Sequence, residues 1–231
     1  MNREPQDWPR VVVFDLDGTL IDSAPDIARA LNRATDKRGL APFPLDQVKE
    51  MIGGGVAKLV ARALVARGLP EAELLPVLHD FIAFYRENLT TNTVIYEGAR
   101  ELLAKLQRDG RKLGICTNKQ HELTVEILEQ LDLAKHFLAI RGEKDGRPRK
   151  PDPAPLLEVI AGLGATPRGA LLVGDSEADV ACARNAKIPA VAVTFGYSHA
   201  APENLGADCV ISNLSDLPRC FSALKRPGQK R

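Results

Sequence analysis

The stretch VVVFDLDGTLIDS, Val11 to Ser23, decides how this chain is read. Four apolar residues, Val11 to Phe14, run straight into Asp15 and Asp17, with one leucine between the two acids. An unbroken apolar run of this length suits a strand covered on both faces. Two carboxylates at its end do not suit burial. At about 4 Å apart they repel by roughly 4 kcal/mol in a protein-surface dielectric. The pair therefore needs a counter-charge, a chemical task, or both.

Working outward, five more runs read as strands: KLGIC at 112–116, FLAI at 137–140, ALLV at 170–173, AVAV at 190–193 and CVI at 209–211. Between them lie helical patterns. ARELLAKLQRDG sets Leu102, Leu103 and Leu106 on one face and offers Gly110 as its C-cap, and ELTVEILEQLDL, APLLEVIAGLG and EADVACARNA follow suit. Strand–helix alternation predicts an α/β fold, a doubly wound parallel sheet with right-handed crossovers.

The interval from Ala24 to Asn92 breaks the alternation. DIARALNRATDKRG, VAKLVARALVARG and AELLPVLHDFIAFYRENL are helical in pattern, and no strand is evident among them. A connection of about seventy residues far exceeds a normal βα loop, so it reads as a separate helical unit beside the two aspartates. The expected organisation is a core of residues 1–22 and 93–231, interrupted by an inserted all-helical cap domain at 23–92. No internal repeat is found. The first ten residues, MNREPQDWPR, read as a short disordered arm without the apolar segment of a secretory signal, and the basic tail KRPGQKR reads the same way.

Bulk properties exclude more than they identify. The chain has 231 residues, 45% hydrophobic and 26% charged, with a net charge of +1, which supports neither a nucleic-acid nor a membrane partner driven by charge. Its apolar runs fall short of the roughly 18 residues that span a bilayer. Four cysteines (Cys116, Cys182, Cys209, Cys220) show no C-x-x-C pairing, so free thiols and a cytoplasmic location are expected. His79, His121, His136 and His199 are scattered and receive no chemistry; Trp8 reads as packing.

In open α/β sheets, ligands bind beyond the carboxyl ends of the strands. Asp15, Asp17 and Thr19 follow the first run; Thr117, Asn118 and Lys119 the second; Lys150 a loop after the third; Gly174, Asp175, Ser176 and Asp179 the fourth. Asp15, Asp17, Asp175 and Asp179 place four negative charges against Lys150, an imbalance that calls for a cation. With oxygen ligands throughout and no His or Cys in these loops, Mg²⁺ is the expected ion. Thr117, Asn118 and Lys150 are then donors for a phosphoryl group.

Each of these residues also has a plainer reading. Thr117 and Asn118 can cap the helix that follows, and one geometry can serve both purposes. Lys150 belongs to a basic loop with Arg147 and Arg149 that could be a solvated face. Asp179 could be a surface acid. IGGGVAKLV, Ile52 to Val60, matches neither a P-loop nor a strand-led G-x-G-x-x-G, and suits a flexible turn between helices, with substrate contact as a second reading.

DLDGTLIDS, CTNK, KPDP and GDSEADV stand in an order and strand context that resembles the haloacid dehalogenase superfamily, in its phosphatase branch, across nearly the whole chain. YEGARELLAKLQRDGRKLGICTNK and KPDPAPL look most like phosphoglycolate phosphatases. The resemblance implies a Rossmann-like core with Asp15 as nucleophile and Asp17 as the acid and base that protonates the leaving oxygen and then activates water. It also implies Mg²⁺ held by the Asp15 carboxylate, the Asp17 carbonyl and Asp175, with Asp179 behind them, and Thr117, Asn118 and Lys150 on the phosphoryl group. One part follows from the residues themselves: hydrolysis through a carboxylate nucleophile needs a second group for two proton transfers, and Asp17 is placed to supply it. Expulsion of a halide needs no such group, and an ion pump would be harmed by one. The expected activity is Mg²⁺-dependent hydrolysis of a small phosphorylated metabolite, 2-phosphoglycolate by resemblance. A sugar phosphomutase, a pyrophosphatase or nucleotidase, and more remotely a phosphate-binding module without turnover, are the other readings. Nothing in the sequence speaks to oligomeric state.

Overall fold

The apolar runs become strands because helices cover both sides of the sheet they form. The computed structural model describes residues 8–198 and 200–224. Its elements, in chain order, are β1 (Val11–Phe14), β2 (Ile21–Asp22), α1 (Ala24–Asp36), α2 (Leu45–Met51), α3 (Val56–Ala66), α4 (Leu74–Glu87), β3 (Val94–Ile95), α5 (Ala99–Arg108), β4 (Lys112–Gln120) and α6 (His121–Gln130). They continue with β5 (Ala139–Glu143), α7 (Ala154–Gly162), β6 (Ala170–Gly174), α8 (Glu177–Asn185), β7 (Ala190–Val193), β8 (Cys209–Ile211) and α9 (Leu217–Ala223).

Six strands form one sheet in the order β5-β4-β1-β6-β7-β8, every neighbouring pair parallel. Along β1, Val12 and Phe14 enter the apolar cluster on one face while Val11 and Val13 enter the cluster on the other. This two-sided burial is why the sequence shows a continuous apolar run rather than an alternating one. The chain winds from β1 to β4 and β5, then returns to the other side of β1 for β6. The carboxyl end of β1 is thus the topological switch point, where a crevice opens.

Between β2 and β3 the chain builds α1 to α4, which pack on one another through Leu31, Val48, Val60, Leu64, Val77 and Phe81, all buried. β2 and β3 pair antiparallel, Ile21 with Ile95 and Asp22 with Val94, so the helical segment leaves and returns through one two-stranded neck. Asp26, fully buried in α1, clasps the returning chain. It accepts hydrogen bonds from Asn92 N (2.8 Å), Asn92 Nδ2 (3.0 Å) and Thr93 Oγ1 (2.9 Å). These strands, too short for a periodic signal, went unseen in the sequence.

Several expectations need correction. The third apolar run becomes β5, which starts at Ala139 and runs to Glu143, not over 137–140, because Ala139 takes its register against Gly114 and Leu138 is left exposed. β4 extends through Thr117–Gln120 with a register irregularity after Cys116. Order begins no later than Trp8, which is buried and donates from Nε1 to Arg168 O at 3.0 Å. Cys209 and Cys220 are joined in a disulfide with Cα atoms 6.3 Å apart, whereas Cys116 and Cys182 are free and buried. The edge strand β8 brings Cys209 against α9, a proximity with no spacing motif to announce it. The rest of the expected N-terminal arm, the basic tail and His199 lie outside the described residues. Among the described residues no helix is long and apolar enough to cross a membrane.

Candidate active site

Asp15 is the first residue beyond β1, and its backbone N–H, bonded to Val173 O at 2.9 Å, holds it in line with the sheet. Lys150 approaches from the loop after β5. Its Nζ lies 2.9 Å from Asp15 Oδ1 and donates to Asp179 Oδ1 at 2.5 Å, with the lysine side chain 2% exposed. Burial works against the charge on Lys150, but the Asp15 and Asp179 carboxylates outweigh it and hold its pKa well above the ordinary lysine value. Burial is also the main influence on Asp15. It lifts that carboxyl to about 6, against the lowering effect of Lys150 and with help from Asp179. Asp175 is raised in the same way, by burial and then by its two acidic neighbours.

Close approach of these acids depends on glycine. A Cβ on Gly196 would lie 2.2 Å from Asp175 Cβ, and one on Gly18, whose φ is +80°, would lie 2.4 Å from Asp175 Oδ2. With glycine at both positions, Asp175 packs against the turn after β1 and accepts a hydrogen bond from Tyr197 N at 2.6 Å. Asp179 is not a surface acid. It is buried on the first turn of α8, and its Oδ2 accepts from Ser176 N (3.1 Å) and Ser176 Oγ (2.5 Å). With Oδ1 given to Lys150, both of its oxygens are engaged, so it serves to hold the lysine.

Asn118, expected among the phosphate donors, is otherwise employed. Its Nδ2 donates to Lys150 O at 3.0 Å and its Oδ1 accepts from Lys150 N at 2.9 Å. The side chain thus clamps the lysine backbone, and it is the main chain of Asn118 that remains for a ligand. Thr117 is buried, its hydroxyl accepting from Lys119 N at 3.3 Å and lowering the pKa of the Asp15 carboxyl against the effect of burial.

Asp17 faces away from Lys150. Its Oδ1 accepts from Ser23 Oγ (2.6 Å), and both carboxylate oxygens accept from Lys119 Nζ, at 3.1 and 3.0 Å. The same ammonium donates to Tyr85 Oη of α4 at 2.9 Å. Lys119 corrects the charge balance drawn from sequence, since two buried lysines, not one, oppose the four acids. Tyr197 was also missed. Besides binding Asp175 through its N–H, it donates from its hydroxyl to Asp22 Oδ1 (2.6 Å) and accepts from Ser23 N (2.9 Å), tying the acids to the neck of the helical segment. Only its place just beyond β7, in TFGYS, could have signalled it.

One carboxylate oxygen from each of Asp15, Asp175 and Asp179 falls within 4.8 Å of the others. Four carboxylates against two ammonium groups leave two negative charges, the complement of one divalent ion. Asp15 Oδ1 is buried and accepts no hydrogen bond of good geometry, which leaves a lone pair for a metal or for an electrophile. The donor set, all oxygen, fits Mg²⁺. Asp15 and Asp175 are the carboxylates open to it, and Asp17, its side chain turned to Lys119, can offer its carbonyl.

A cavity of about 120 Å³ lies above these groups, between the sheet and the helical segment. Asp15, Asp17, Thr117, Lys119 and Lys150 line it from below; Ile27, Ile52, the glycines at 53–55, Val56, Leu59, Phe81 and Tyr85 close it from above. The glycine turn therefore faces the site, and a Cβ on Gly55 would sit 2.7 Å from Glu143 Oε2.

Residues 12–193 match the model of the haloacid dehalogenase-like hydrolases. The chain belongs to that family. A phosphoglycolate phosphatase of Caulobacter vibrioides is 38% identical to this haloacid dehalogenase-like hydrolase over 216 residues, covering 92% of this chain and 91% of its own. One from Cereibacter sphaeroides is 41% identical over 209 residues, covering 90% and 95%. A crystal structure from Haemophilus somnus, described as a predicted phosphoglycolate phosphatase, superimposes with a TM-score of 0.87 at 28% identity, covering 94% of this chain and 99% of that one. The hydrolase shares its overall fold with that structure, and the crevice at β1 is where its own acids converge.

Proposed function

We propose that this phosphatase of the haloacid dehalogenase-like family hydrolyses 2-phosphoglycolate to glycolate and phosphate through an aspartyl-phosphate intermediate. The observation that carries the mechanism is the pair of contrasting aspartates: Asp15 is buried with Oδ1 2.9 Å from Lys150 Nζ, while Asp17 is held by Lys119 and Ser23. The substrate is carried over from the similarity to the curated phosphoglycolate phosphatases.

An Asp15 carboxylate oxygen attacks phosphorus, and the bond from phosphorus to the ester oxygen breaks. That oxygen leaves as a hydroxyl with the proton of Asp17. A water then attacks phosphorus and gives its proton to Asp17; the bond to Asp15 breaks and inorganic phosphate departs. Lys150 and Thr117 bind the transferring phosphoryl oxygens, and Asn118 and Asp179 fix Lys150 for the task. Mg²⁺ held by Asp15, Asp175 and the Asp17 carbonyl would neutralise charge at the phosphoryl group. Residues 23–92 act as a cap whose closure excludes bulk water.

Phosphate release from a panel of small esters with Mg²⁺ tests the reading. 2-Phosphoglycolate should be turned over fastest, and Asp15→Asn should abolish turnover. Faster release from another ester, a nucleotide or pyrophosphate would replace the substrate. An isomerised sugar phosphate without free phosphate would make the chain a mutase, and no turnover of any ester would leave a phosphate-binding module.

A further inference from the structure

Lys119 and Tyr85 sit where the leaving group, rather than the phosphoryl group, would lie. Lys150, engaged by Asp15 and Asp179, serves the phosphorus end of the cavity. Lys119 is on the far side of Asp17, with its side chain 7% exposed, and reaches the hydroxyl of Tyr85 on α4. The three N–H donors of its ammonium go to the two Asp17 oxygens, at 3.1 and 3.0 Å, and to Tyr85 Oη; protonation of Asp17 as the general acid would turn one of those oxygens into a hydroxyl and free a donor. Tyr85 accepts from Lys119, and among the described residues nothing accepts its own proton. The Tyr85 hydroxyl, its proton unspent, and the Lys119 ammonium therefore stand side by side, 2.9 Å apart, over the general acid. Around them the roof is apolar: Ile27, Val56, Leu59 and Phe81. A carboxylate, with two oxygens on one carbon, matches that donor pair, while a neutral leaving group has no use for a buried cation there.

We propose that Lys119, assisted by Tyr85 from the helical segment, binds the carboxylate of the leaving group and so selects small 2-phosphorylated carboxylates over neutral phosphate esters. The inference rests on the phosphatase reading and adds the residues of selection. Its geometry follows from connectivity: Asp17 must reach the ester oxygen, and in a 2-phosphorylated carboxylate the carboxyl carbon is two bonds further on, towards Lys119.

The test compares 2-phosphoglycolate with 2-hydroxyethyl phosphate, which replaces the carboxylate by a neutral hydroxymethyl group, on the full chain with Mg²⁺. The wild type should prefer 2-phosphoglycolate by about 100-fold or more in kcat/KM, and Lys119→Gln should reduce that preference by about 30-fold, chiefly through KM for the carboxylate ester. Loss of Asp17's partner alone would lower both rates together, so an unchanged ratio in Lys119→Gln overturns the assignment. Should that variant not fold, Tyr85→Phe carries the test: a preference lower by roughly 3- to 10-fold supports the pairing, and an unchanged one overturns it. A wild type that hydrolyses both esters equally well overturns this inference alone, whereas one that hydrolyses neither defeats the phosphatase reading beneath it.

Discussion

At the carboxyl ends of β1, β4 and β6, buried acids and lysines hold one another by short bonds, and nearly every oxygen has an assigned partner. Across the cavity, α1, α3 and α4 present an apolar surface interrupted by the hydroxyl of Tyr85 and a turn of glycines. The floor is over-determined: Lys150 alone is fixed by Asp15, Asp179 and, through its backbone, Asn118. The roof is joined to the floor by few polar contacts, among them Tyr85 to Lys119 and Tyr197 to the chain at Ser23. Such a division teaches where chemistry and selection reside. Preorganised charge must not move when charge develops in the reaction, while a surface that admits and encloses a substrate must.

Variants can break this contrast. The largest effect belongs to the floor: Asp15→Asn should lower phosphate release by about 10⁴-fold or more while the fold persists, because the nucleophile is lost. Next, Phe81→Ala in the roof should cost about 3–5 kcal/mol of stability in denaturant unfolding and raise KM more than it lowers kcat. A kcat loss as deep as that of Asp15→Asn would mean the roof takes part in bond making. Asn118→Ala removes both clamps on the Lys150 backbone. It should lower kcat about 10- to 100-fold and stability by about 1–3 kcal/mol, and unchanged kinetics would show that Lys150 needs no such support.

The smallest effect concerns pH. Burial raises the Asp15 carboxyl from 3.8 to about 6, so the folded protein binds that proton more tightly than the unfolded chain does. The resulting stabilisation is complete below the unfolded value and is lost as pH rises through the folded one. A divalent ion relieves the crowding of ionised acids only above that range. Mg²⁺ should therefore raise the melting temperature by a few degrees more at pH 7.5 than at pH 5. An equal gain at both would place ion binding elsewhere.

Much of the floor could be read from one dimension. Asp15, Asp17, Thr117, Lys150, Asp175 and Asp179 each follow an apolar run, and a parallel sheet necessarily gathers such positions at one edge. The helical roof was visible through its 3.6-residue periodicity, and its glycine turn through composition. Partnerships were not visible. Asn118 bonding Lys150, Lys119 bonding Asp17 and Tyr85, and Cys209 meeting Cys220 join residues whose separation obeys no period.

The sequence by itself determined the doubly wound sheet, the helical insertion and the convergence of acids, because hydrophobic periodicity and strand ends are local properties that the chain carries everywhere. Only the tertiary structure decided what each polar group does there. Thr117 and Asn118 are neighbours in sequence, yet one acts on the Asp15 carboxyl and the other clasps Lys150. The reason is physical: hydrogen bonding and ion pairing act within about 3 Å, and which groups come that close depends on how separate elements pack.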